Sequence, residues 1–226
     1  MNVCFMFAGD LPDEIAMAHV ISVRRAIPGA WVIQLSDETT PRLRFVDEIR
    51  RKQYQDLIDM RFAHMEDLPG ENIVLDYDCV VQDDIRAVFN EPFDLAFTRR
   101  PDGDVTASAS VLAQSPHNLG VIFQRESGQA FWARVRKGWL AVDDRDRWMD
   151  GQVLVSRCIR ELGFNVLELP GETYNYTPTS EDEDVSRRAV VHYKGKRKAW
   201  MVQGEEAKAK ALAEGKRVLR IMSGKA

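Results

Sequence analysis

Over the first 80 residues, short apolar runs that suit strands alternate with amphipathic stretches that suit helices. No other feature restricts the fold as much. Asn2 to Ala8 is an apolar run, and Pro12 to Arg25 spaces Ile15, Ala18, Val20 and Ile21 near helical intervals. Trp31 to Leu35 follows the Pro28-Gly29 break and exits at Ser36-Asp37. Gln53 to Leu68 is helical in pattern, with Leu57, Met60 and His64 on one side, and Pro69-Gly70 stops it. Asn72 to Leu75 then runs straight into Asp76. Alternation of this kind predicts a parallel sheet covered by helices on both faces, in which ligands collect at the carboxyl ends of the strands. Further strands are predicted at Leu95 to Thr98, Gly120 to Phe123, Val166 to Leu169 and Ala189 to His192, with helices at Gln129 to Val135 and Gln152 to Leu162.

A chain of 226 residues with 45% apolar content can bury one large α/β core. No apolar run reaches the roughly 18–20 residues that cross a bilayer, and the N-terminus carries no basic leader with a cleavage site. Cys4, Cys79 and Cys158 lie far apart and match no zinc spacing, so a reducing cytoplasmic setting is expected. The net charge of −4 hides an asymmetry: from Lys194 onward ten Lys or Arg face three Asp or Glu. The expected organisation is one domain over residues 1–204 with a basic C-terminal helix or tail over 205–226.

Two segments carry chemistry. Ile73-Val74-Leu75-Asp76-Tyr77-Asp78 is an apolar strand ending in two carboxylates two residues apart, which in extended chain face the same way and can converge on one cation. Oxygen ligands suit Mg2+ or Mn2+. On these residues alone, a solvated strand exit remains the rival reading. The second segment is His192 through Trp200, where a histidine at a strand end can complete a metal's coordination, Gly195 allows close backbone approach, and Lys198 brings a positive charge for phosphate.

With these motifs in view, the chain resembles the family 8 glycosyltransferases and their GT-A relatives. The family's order is an arginine on a helix leading to Leu-Pro, a strand ending in Asp-x-Asp, Asn-x-Gly-Val, an Asp-Gln region, and His-x-x-Gly-x-x-Lys-Pro-Trp. Here the pieces stand in that order as Arg61 before Leu68-Pro69, Asp76-Tyr77-Asp78, Asn118-Leu119-Gly120-Val121, Asp150-Gly151-Gln152, and His192 to Trp200. The resemblance implies a Rossmann-like three-layer α/β sandwich with a mostly parallel central sheet. It also implies that Asp76, Asp78 and His192 bind Mn2+ (or Mg2+), and that Gly195 and Lys198 meet the diphosphate of a nucleotide-sugar, UDP-sugars first. Arg61, Tyr77 and Asn118 would line the donor, Ala8 and Asp37 would border the base and ribose, and Asp150, Gln152 and Lys198 would serve catalysis. Ala199 replaces the family's proline, and Gly151 separates Asp150 from Gln152, which leaves open which of the two faces the anomeric carbon.

The implied activity is metal-dependent transfer of a sugar to an acceptor hydroxyl with retention of configuration. Three alternatives stay open at this point. An inverting GT-A transferase would need a carboxylate base, Asp150 first, with Asp143 or Asp144 behind it. A haloacid dehalogenase-type phosphohydrolase shares Asp-x-Asp, but places it on the first strand. An inactive sugar-nucleotide-binding relative would keep only the fold. The acceptor is not legible, and a glycan, a lipid-linked acceptor or a nucleic acid would each suit the basic C-terminal part.

Overall fold

The computed structural model describes residues 1–6, 13–35, 47–101, 109–141 and 150–206. Its central sheet has six strands in the order β2-β1-β3-β6-β5-β7, formed by β1 (Asn2–Met6), β2 (Trp31–Gln34), β3 (Asn72–Asp76), β5 (Leu95–Arg99), β6 (His117–Gln124) and β7 (Val166–Pro170). The pairings β1·β2, β1·β3 and β5·β7 are parallel, whereas β6 is antiparallel to both β3 and β5. Five strands therefore share one direction and β6 alone opposes it. The sheet is thus mostly parallel, as expected, and the one reversed strand matters for the site. It brings the start of β6 to the same edge as the ends of β3 and β5.

Strand periodicity divides the interior into two layers. Ile73, Leu75, Val121 and Phe123 face one side with Val23 of α1 (Asp13–Ala26) and Ile27 just beyond it, while Val74 and Ile122 face the other. That second layer is filled from α2 (Asp47–Asp67) by Phe62 and Met65, and from α4 (Gln129–Leu140) by Trp132, Val135 and Trp139. Leu154 and Val155 complete it from α5 (Asp150–Glu161). Phe62 stacks on Trp132 at 5.7 Å and meets Trp139 edge-on at 6.1 Å, so the anchor of α2 is aromatic. Next to Phe62 on the same helix, Arg61 is thereby held toward the strand ends.

Two short helices, α3 (Ala109–Gln114) and α6 (Gly171–Tyr174), and a small second sheet of β4 (Cys79–Val81) with β8 (Val190–His192) complete the described elements that bear on the site. Cys79 pairs with His192 in register, so residues more than a hundred positions apart are brought side by side. Residues 198–206 are helical, and the buried Glu205 accepts two bonds from Arg25 of α1 at 2.5 and 3.2 Å. That ion pair fastens the end of the described chain to its first helix. All three cysteines are buried and free. Among the described residues no helix is long and apolar enough to cross a membrane.

The Glu181 to Asp184 loop is clasped at Glu183, whose carboxylate accepts from the Tyr176 hydroxyl, from Thr179 N–H at 2.7 Å and from Thr179 Oγ1 at 2.8 Å.

Candidate metal and donor site

β3 ends at Asp76, and Tyr77 and Asp78 form a turn into β4. The two carboxylates therefore converge through a turn and not through the same-face geometry of extended chain. The backbone of Asp78 is fixed by the chain leaving β8, since Tyr193 N–H donates to Asp78 O at 2.8 Å. His192 Nε2 stands 2.9 Å from Asp78 Oδ1 and 3.6 Å from Asp76 Oδ2. The imidazole nitrogen is thus within reach of both carboxylates.

Two cations flank the acids. Arg61 Nη1 donates to Asp76 Oδ1 at 2.9 Å and its Nη2 to Leu119 O at 2.6 Å, tying α2 to β3 and β6. Lys198 Nζ lies 2.6 Å from Asp78 Oδ2 and 5.3 Å above the Tyr77 ring. Tyr77 packs beside Ile15, Ala18, Val80 and Met201, and burial, reinforced by Asp78 and Asp76, pushes its hydroxyl well above the usual tyrosine range. Burial also disfavours the charged form of Asp78, but His192 and Lys198 outweigh it and hold the carboxyl well below the ordinary range. Asp78 is a buried anion sustained by its neighbours.

Gly120 is indispensable to this packing. A Cβ there would lie 2.4 Å from His192 Cε1, 2.5 Å from Nδ1 and 3.0 Å from Asn118 Oδ1. The imidazole is seated directly on the β6 backbone, and Asn118 Oδ1 accepts from Gly120 N–H at 2.8 Å. Gly195 has φ of 63°, the left-handed region, and begins the turn that delivers Lys198.

The donor set fits a divalent cation. Carboxylate and imidazole donors can hold one, and the ring orientation is set by a second hydrogen bond, His192 Nδ1 to Asn175 Oδ1 at 2.8 Å. Proximity by itself groups Asp78 and His192 with Cys79 and not with Asp76. We exclude Cys79 from the set on chemical grounds. A thiolate is a softer ligand than Mn2+ or Mg2+ favour, and Cys79 Sγ faces Gly120 O at 3.6 Å.

The structure therefore gathers Arg61, Asp76, Tyr77, Asp78, His192 and Lys198, with Asn118 adjoining through Gly120. Gln152 belongs to a different neighbourhood: its Oε1 accepts from Arg100 Nη2 at 2.7 Å, at the exit of β5. Gly151 packs toward Ile58 and Phe62 of α2, so the residue that interrupts the Asp-Gln pair sits at a helix contact. Ala8 and Asp37, and likewise Asp143 and Asp144, lie outside the described residues, as does the side chain of Asp150. Asn175, Thr98 and Arg100 escaped the sequence reading. They sit in unremarkable local sequence, and only the sheet order brings them to this edge.

No family model and no curated protein matches the sequence. Solved structures do. A glycosyltransferase involved in glycosylation of the major capsid of PBCV-1 superposes with a TM-score of 0.60 at 15% identity, covering 91% of this chain and 100% of that one. The chain has the GT-A fold. The galactosyltransferase LgtC, in complex with donor and acceptor sugar analogues, gives 0.57 at 14% identity over 93% of this chain and 96% of its own. The glycosyltransferase GlyE of Streptococcus pneumoniae TIGR4 gives 0.58 at 10% identity, covering 92% of this chain and 64% of that longer one. In this GT-A framework the acids lie at the end of the third strand in chain order, β3, and not the first.

Proposed function

We propose that this chain is a metal-dependent glycosyltransferase that moves a sugar from a nucleotide-diphosphate donor, a UDP-sugar first in order, to an acceptor hydroxyl with retention of configuration. The observation that carries the reading is the convergence of Asp76, Asp78 and His192 beside Lys198 at the strand edge where open α/β sheets take ligands. The position of Asp76 on β3 speaks against the phosphohydrolase alternative, whose Asp-x-Asp would terminate the first strand.

Asp76, Asp78 and His192 would hold Mn2+ or Mg2+, which when bound supplies Lewis-acid neutralisation of charge on the departing diphosphate. Lys198 adds a fixed positive charge to the same face, worth most in a partly desolvated site. Asp78 draws Lys198 in and Tyr77 lies under its ammonium, so the charge is oriented before substrate arrives. Arg61 braces Asp76 while reaching the Leu119 carbonyl, which couples the metal seat to the β6 segment carrying Asn118. Asn118 would then border the transferred sugar, and Gln152, held by Arg100 at the exit of β5, would have to serve from that side.

A panel of nucleotide-sugars with and without Mn2+, followed by release of the nucleoside diphosphate, tests the proposal. Manganese-dependent turnover of one donor, lost in Asp78→Asn, is the expected result. Phosphate release from simple phosphomonoesters, abolished by Asp76→Asn and indifferent to nucleotide-sugars, would overturn it. NMR analysis of the product anomer separates retention from inversion.

A further inference from the structure

The two nitrogens of His192 have different neighbours. Nε2 faces Asp78 and Asp76, and Nδ1 is 2.8 Å from Asn175 Oδ1. The Asn175 amide is itself constrained, because its Nδ2 donates to Thr98 Oγ1 at 2.7 Å, and Thr98 Oγ1 donates to Asn118 O at 3.1 Å. A hydroxyl has one proton. With that proton committed to the Asn118 carbonyl, Thr98 Oγ1 can only accept from Asn175. The amide nitrogen must then face Thr98 and the amide oxygen must face the imidazole. An amide oxygen only accepts, so Nδ1 carries a proton, and Nε2 is the ring nitrogen left to bind a cation.

The surroundings leave this chain of bonds little alternative. Thr98 is fully buried, Asn175 and His192 are buried, and Thr98 is remote in sequence from the other two. Thr98 lies just after the register shift in β5 that follows Phe97, and this irregularity sets it against Asn118. Asn175 follows α6, with its own N–H anchored to Gly171 O at 2.9 Å. Neither Asn175 nor Thr98 bonds to the carboxylates, and neither belongs to a motif of the resemblance.

We propose that Asn175 and Thr98 are positioning residues that keep the proton on His192 Nδ1 and so reserve Nε2 for a divalent cation. The proposal rests on the metal-dependent reading above. It also links the metal seat to the sugar side, because the same relay ends on the backbone of Asn118.

The test uses the full chain and three variants: Asn175→Leu, Asn175→Asp and Thr98→Val. Two signals are read, Mn2+ affinity from the electron paramagnetic resonance of free ion, and the 15N shifts of His192 in metal-free protein. Asn175→Leu is expected to weaken Mn2+ binding about 10–100-fold and to lose the Nδ1–H signature. Asn175→Asp keeps an acceptor for Nδ1–H and is expected to stay within about threefold of wild type. Thr98→Val, nearly isosteric, frees the amide to turn and is expected to weaken binding about tenfold, which keeps the test intact should Asn175→Leu fail to fold. Wild-type affinity in Thr98→Val or Asn175→Leu, with Nδ1–H retained, would overturn the proposal. A wild-type protein that binds no Mn2+ would refute the metal reading instead, while the 15N shifts would still decide whether Asn175 and Thr98 place the proton.

Discussion

Gly120→Ala adds one methyl group at the point where His192 rests on β6, and leaves every proposed ligand in place. The added Cβ would lie 2.4 Å from Cε1 and 2.5 Å from Nδ1 of His192, and 3.0 Å from Asn118 Oδ1. Ordinary carbon contacts begin near roughly 3.5 Å, so the ring must give way by about 1 Å. It has little freedom to do so. Nδ1 is tied to Asn175, and the His192 backbone N–H donates to Tyr176 O at 2.7 Å while β8 pairs with β4. Overpacking of this kind costs about 1–3 kcal/mol, which for a chain of this size lowers Tm by roughly 2–12 °C. Displacing Nε2 from the acids is expected to weaken Mn2+ binding by about 10–100-fold, the range seen when ligand orientation is lost. Calorimetric melting and a Mn2+ titration read the two effects separately. Gly204→Ala, where an added Cβ meets nothing within 4 Å, is the control: it should leave Mn2+ affinity unchanged and, lying within the helix of residues 198–206, should not lower Tm. Wild-type Mn2+ affinity in folded Gly120→Ala would refute the claim that the imidazole's seat determines the metal site.

Lys198→Met should leave the fold intact and reduce kcat of donor turnover about 10²–10³-fold, and an unchanged kcat would remove Lys198 from the charge argument. Arg25→Ala removes both bonds to the buried Glu205 and should cost about 1–3 kcal/mol by urea unfolding, with little effect if Glu205 is then changed to Gln. His19 is fully buried and kept neutral, burial lowering its pKa to about 4 from 6.5 against the opposing pull of the Cys79 carbonyl and the two acids. Its folded value is depressed, so its stability contribution is complete above pH 6.5 and is lost as pH falls toward 4, up to about 3 kcal/mol. Urea midpoints measured across that window should slope less in His19→Gln, and an identical slope would contradict the assignment.

Much of the fold was legible because strand periodicity is local. The runs at Asn2, Trp31, Asn72, Leu95 and Val166 all became strands of the one sheet, with ends shifted by a residue or two. Strand direction was not legible. Nothing within His117 to Gln124 marks β6 as the reversed strand, since orientation follows from the loops and from the helices that cover the sheet. Likewise the short β4 could not be separated from β3, because Cys79 to Val81 is apolar and continues the strand pattern beyond the Tyr77-Asp78 turn. The residues of the site that hold charge were visible through their spacing along known motifs. Asn175 and Thr98 were not, because their roles exist only once β5, α6 and β8 have been brought together.

The central claim is that an imidazole joins the two carboxylates on one ion. Pulsed electron paramagnetic resonance of Mn2+ bound to protein carrying 15N-labelled histidine measures this coupling directly. One directly bound histidine nitrogen is predicted, absent in His192→Gln. A spectrum with no nitrogen coupling, or one that persists unchanged in His192→Gln, would contradict it.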